Sequence, residues 1–168
     1  MKKITLTALL AILATALVAP VGLAHDHGKH KGKKLFTTKL KGANEVPGPG
    51  DPDGKGHAWI RLDSKRDRVC FKVSAKGVAP LTAGHIHTGD SKTAGPVFVE
   101  LFSGPASDRR HRRGCVATTQ AKIDAIRANP AGYYVNVHNA EYPNGALRGQ
   151  LGGKHRHSGA PPKQPHDH

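Results

Sequence analysis

A period of two is the feature that most restricts what this chain can fold into. Between Leu35 and Leu151, apolar and polar residues alternate in short runs separated by Gly, Pro and Asp clusters. "GHAWIRLD" puts Ala58, Ile60 and Leu62 on one face and His57, Trp59 and Arg61 on the other. "DRVCFKVSAKGV" sets Val69, Phe71 and Val73 against Cys70, Lys72 and Ser74. Successive side chains of a strand point to opposite faces, so each run suits a strand with one side in a core. "LFTTKLKG", "TAGHIHTG", "PVFVELF", "YYVNVHN" and "GALRGQL" bring the total to about seven strands. One stretch departs. "TTQAKIDAIRANPAG" spaces Ile123 and Ile126 by three behind Thr118 or Thr119 as a cap, which predicts a short helix ending near Asn129. The expected fold is all-β: an antiparallel Greek-key β-sandwich of about seven strands with one short helix.

The ends of the chain have a different composition. Lys2 and Lys3 precede an apolar run from Ile4 to Val18, and Gly22-Leu23-Ala24 offers small residues for cleavage. Residues 1–24 therefore read as a signal peptide, and the protein as exported, periplasmic or secreted. No transmembrane segment is expected, because no apolar stretch is long enough. Residues 25–34 form a His/Lys-rich flexible arm, 35–151 the folded domain, and 152–168 a disordered His/Pro/Gly-rich tail. Two cysteines in an exported chain predict a Cys70–Cys115 disulfide, stabilising by roughly 4 kcal/mol in the chain-entropy model. It would tie the loop before the helix to the strand of Cys70.

The formal charge of +14 favours anionic partners. The densest run is "SDRRHRRGC", where Arg109, Arg110, Arg112 and Arg113 read as a basic loop able to meet an anionic cell-surface or extracellular polymer. It has no interleaved aromatics to stack bases, so no nucleic acid is expected.

Histidine placement points to metal ions. His85 and His87 share a strand face in "GHIHTG", and His138 ends "YYVNVH", where it shares a face with Tyr134 and Asn136. A His-x-His pair plus one histidine from another strand makes a three-nitrogen site suited to copper or zinc, with a coordination position left open. Cleavage after Ala24 would start the chain His25-Asp26-His27, whose amine, amides and third-position imidazole make a square-planar set for Cu(II) or Ni(II). His25 and His27 belong to tails that hold seven of the twelve histidines. A shift of the cleavage site by one residue destroys that spacing.

"ANEVPGPG", "GHIHTG", "AGPVFVEL", "YYVNVHN" and "YPNGALRGQL" occur in that order. Together they resemble the CHRD domain, the module repeated in animal chordin and found alone in many exported bacterial proteins. The resemblance covers the whole core and implies an extracytoplasmic β-sandwich, here as a single-domain exported bacterial member. It implies little about activity, and chordin's binding of secreted growth factors does not carry over. Gly48, Asn139 and Ala146 depart from residues usual in the family. Its pattern would bring the three histidines close and add Glu45 and Arg148 as its charged residues. These two could form a bidentate pair that locks the first and last strands or orients a histidine, or Glu45 could be a fourth ligand.

The residues taken together predict an exported, non-enzymatic metal-binding module. The alternative is a basic adhesion or matrix module that holds anionic polymer. A His-x-His strand on a sandwich also resembles the copper–zinc superoxide dismutase scaffold. However, the chain shows no His–Asp arrangement for a bridged second metal and no nucleophile triad, so an enzyme is the least favoured reading.

Overall fold

The computed structural model describes residues 33–104 and 110–152. The signal peptide, residues 25–32 of the arm with His25 and His27, Arg109, and residues 153–168 of the tail lie outside these described residues, while Lys34, expected in the arm, opens the first strand. The strands are β1 (Lys34–Lys41), β2 (Lys55–Asp63), β3 (Arg68–Lys76), β4 (Leu81–Thr88), β5 (Val97–Ser103), β6 (His111–Ala117), β7 (Tyr133–Asn139) and β8 (Leu147–Gln150). The helix α1 (Gln120–Ala128) lies between β6 and β7. Thr119 caps it, its side chain accepting from Lys122 N, and Asn129 follows its end as expected. Among the described residues no helix is long and apolar enough to cross a membrane.

The all-β expectation holds, with two corrections. The strands form one antiparallel sheet in the order β5-β4-β7-β8-β1-β2-β3-β6, not two separate packed sheets. β8 and β1 join its two four-strand halves through the Lys41–Arg148 pairing. Their backbones come so close that a Cβ on Gly149 would lie 2.4 Å from the Lys39 carbonyl oxygen. The sheet rolls until its edges β5 and β6 approach each other, so the molecule is nearly a barrel. At that seam the Phe71 and Phe102 rings stack at 5.6 Å, with the Arg112 guanidinium 4.4 Å over Phe102.

The second correction is the eighth strand. The part of the basic run from His111 to Cys115, read as a loop, belongs to β6, with Arg110 just before it and Cys115 directly opposite Cys70 and bonded to it. The disulfide therefore staples two neighbouring strands. Alternation along β6 divides the arginines: Arg113 faces out, while Arg112 turns to the seam and Arg110 Nε donates to the Val78 carbonyl at 2.7 Å. These arginines do not form one continuous loop patch.

Inward residues fill the roll. Leu40, Ile60, Leu62, Val69, Val73, Ile86, Val135, Val137 and Leu147 are buried, as are Ile123 and Ile126 of α1. The face assignments for β2 and β3 agree with their alternation: Ala58, Ile60, Leu62, Val69, Phe71 and Val73 are buried and Lys72 is exposed.

Candidate metal centre

On β4, Ile86 enters the core while His85 and His87 stand half-buried on the outer face. In the β4–β7 register His85 lies opposite Asn136, His87 opposite Tyr134 and Ala83 opposite His138. His138 is thus the diagonal neighbour of His85, within reach of long side chains. Register shifts on the β5 side flank both histidines, and such bulges re-aim side chains. Ring centroids are 5.0 Å apart for His85–His138 and 5.5 Å for His85–His87. One nitrogen from each of the three histidines lies within 4.8 Å of the others.

Hydrogen bonds fix which nitrogens are bare. His87 Nδ1 faces the Gly95 carbonyl at 2.9 Å and His138 Nδ1 faces the Pro143 carbonyl at 2.9 Å. A carbonyl only accepts, so both Nδ1 atoms carry the proton and, in the neutral rings, both Nε2 atoms hold a free lone pair. His87 Nε2 is buried and has no hydrogen-bond partner among the described residues. His138 Nε2 lies 3.0 Å from His85 Nδ1, so His85 supplies the proton there. A cation held by both rings would take that proton's place, with His85 then in the tautomer that carries its proton on Nε2. Burial lowers the pKa of all three imidazoles, and His138, next to His85, falls to about 4. The cluster is neutral at neutral pH, the state in which imidazole binds metal.

Glu45, Asn136 and Arg148 surround this cluster without joining it. The expected bidentate Glu45–Arg148 pair does not form, and Glu45 is not among the clustered ligands. The Glu45 carboxylate instead takes hydrogen bonds from Asn136 Nδ2 at 2.9 and 3.0 Å. Arg148, although only 1% exposed, donates to the Asp90 and Thr93 carbonyls of the β4–β5 loop. Its guanidinium lies 3.4 Å from the centre of the Tyr134 ring, on which His87 also stacks. The Tyr134 hydroxyl accepts from Gly95 N at 3.2 Å. Arg148 and Tyr134 therefore hold the loop whose Gly95 carbonyl orients His87. On the other side, Asn139 Oδ1 accepts from Tyr142 N at 2.7 Å and fixes the turn whose Pro143 carbonyl orients His138. Such supporting contacts set the ring tautomer and orientation of a metal ligand.

Sequence reasoning found the three histidines but missed Tyr134, Gly95, Pro143 and Asn139 as supports. The Gly-rich turn after "GHIHTG" and the "YPNGALRGQL" motif carried that information only as unexplained pattern.

Glu45 supplies a pH test. Burial raises its pKa to about 7, against the lowering effects of Asn136 and Arg148. A group with a raised folded pKa adds stability that is complete below its ordinary value of about 4.5 and lost as pH rises through 7. Glu45→Gln, which stays neutral, is expected to match the parent near pH 5 and exceed it near pH 8. Urea midpoints at the two pH values check this, and an equal shift at both would contradict it.

An all-β, nearly closed roll with three converging imidazoles on its outer face defines the class. A family model for the CHRD domain matches residues 36–151, and the chain belongs to that family. Comparisons with curated proteins and with solved structures return no match.

Proposed function

We propose that this CHRD-family protein is an exported, non-enzymatic metal-binding module that holds copper or zinc at His85, His87 and His138. The observation that carries the reading is the buried His87 Nε2, without a hydrogen-bond partner among the described residues, on a ring that belongs to a three-histidine cluster with one nitrogen of each within 4.8 Å of the others. Leaving a buried polar atom without a partner costs about 1–3 kcal/mol, and a bound cation would remove that cost. Three imidazole nitrogens suit either metal. In this reading the His-rich sequences at both ends, His25 and His27 among them, gather the same ions, and the signal peptide delivers the protein to the periplasm or beyond.

Acid competition tests the proposal. An imidazole at its ordinary pKa of about 6.5 is mostly protonated at pH 5.5. His138, at about 4, stays neutral there, and burial pushes His85 and His87 in the same direction, so the cluster resists acid better than free imidazole. The full chain titrated with Zn(II) is expected to retain one tight equivalent at pH 5.5, and His85→Ala/His87→Ala to lose it. Complete release by pH 5.5, with parent and variant indistinguishable, would refute the site.

A further inference from the structure

We propose that the outer face of β1, β2, β3 and β6 is a binding surface for an acidic polysaccharide, a sugar polymer carrying carboxylates or sulfates. The face is distinct from the histidine cluster, which sits on β4 and β7. Register sets its composition. One row across the sheet runs Trp59, Lys72, Arg113. The next row toward the far end brings Lys39 beside His57, and the row beyond it runs Lys41, Lys55, Lys76. Arg61 follows Trp59 on the same face of β2.

No carboxylate occupies an outward position in these rows, and among the described residues none of these cations is ion-paired. The lysines, His57 and Arg113 are exposed, and Trp59 is partly so. Neighbouring strands lie about 4.8 Å apart and like-facing residues about 6.8 Å apart along a strand, so the charges form a dense two-dimensional grid. Such a grid is self-repulsive unless an extended polyanion or its counterions cover it.

Trp59 narrows the partner. A partly exposed indole amid lysines offers an apolar face for a sugar ring, whose C–H groups meet the negative face of the aromatic system. Lys72 Nζ stands 5.1 Å from the indole centre and the His57 ring 5.9 Å away. The ammonium lies over the ring, so a sugar that takes its place there has the displaced Lys72 cation beside it for its own acid group. Single-stranded nucleic acid is held on platforms with several stacking aromatics, and this face has one. Membrane adhesion needs several apolar side chains to insert, and the rows around Trp59 offer one, the exposed Leu35 opposite Arg61, among lysines.

The test uses the full chain on two immobilised polymers, polygalacturonate (carboxylated) and heparin (sulfated). Lys39→Gln/Lys55→Gln/Lys72→Gln removes three charges from the face. Lys65→Gln/Lys92→Gln/Lys122→Gln removes the same charge from a turn, the β4–β5 loop and the helix. Thermal midpoints confirm that each variant is folded. The face variant is expected to bind about tenfold more weakly in about 0.15 M salt, and the control to stay within about twofold. Trp59→Ala is expected to lower affinity while leaving its salt dependence unchanged. Equal losses in the two triple variants would reduce the effect to net charge and overturn the proposal. So would tighter binding to single-stranded DNA or to phosphatidylserine vesicles than to either polymer, or no retention on both resins.

Discussion

His138→Ala is expected to weaken Zn(II) or Cu(II) binding at the core site by about 100-fold or more while leaving the chain folded. Losing a residue that merely supports a ligand commonly costs 10–100-fold, and His138 supplies one of three nitrogens itself. The ring is only half-buried, and the core beneath it is made by Val135 and Val137. The structural losses are its hydrogen bonds to the Pro143 carbonyl and to His85 Nδ1, each worth about 1 kcal/mol. His57 and His111 lie on the other half of the sheet, so His57→Ala and His111→Ala serve as controls that leave the tight equivalent in place. Competition with a chromogenic chelator reads all three. Equal affinity in His138→Ala and the parent would remove His138 from the site.

Arg148→Ala is expected to have the largest effect on stability, about 3 kcal/mol, seen as a lower urea midpoint. The guanidinium is buried, and its cation is held by carbonyls and the Tyr134 ring without a contacting carboxylate. Truncation leaves a void beneath the β4–β5 loop and strands the Asp90 and Thr93 carbonyls that Arg148 now serves. Because the same loop presents the Gly95 carbonyl to His87, metal affinity should fall too, by about tenfold to 100-fold. Faster amide exchange across residues 89–96 would mark the route. An unchanged midpoint would show that the loop is held by other means.

Much of this architecture was legible in the residues. Strands with one face in the core, such as β2 and β3, announce themselves because Ile60, Leu62, Val69 and Val73 must alternate with polar neighbours. β6 does not. Its inward positions are Arg112, Gly114 and Val116, because at the seam the interior is shallow and Arg112 covers Phe102. A Cβ on Gly114 would press on the Phe71 ring at 3.2 Å, so packing there favours a residue with no hydrophobic signal. The single rolled sheet was equally hidden. It depends on β8 meeting β1 at Lys41–Arg148, a contact between distant parts of the chain that alternation does not encode.

The site divides along similar lines. His85 and His87 are visible from the strand period, and His138 from the same period in "YYVNVH". The motifs flagged Glu45, Asn136 and Arg148, but composition alone suggested pairing the opposite charges. The fold instead gives Glu45 to Asn136 and Arg148 to loop carbonyls. Carbonyl partners leave no mark on side-chain identity, so the supports for His87 and His138 could not be read from residue types.

The most direct test is a Zn(II) titration of the 15N-labelled full chain, followed through the histidine ring nitrogens by long-range 1H–15N correlation. At the first equivalent, His87 Nε2, His138 Nε2 and His85 Nδ1 should shift together to metal-bound values while His57 and His111 stay put. If the first equivalent moves only histidines outside this trio, the cluster is a hydrogen-bonded structural group and the metal-binding account fails.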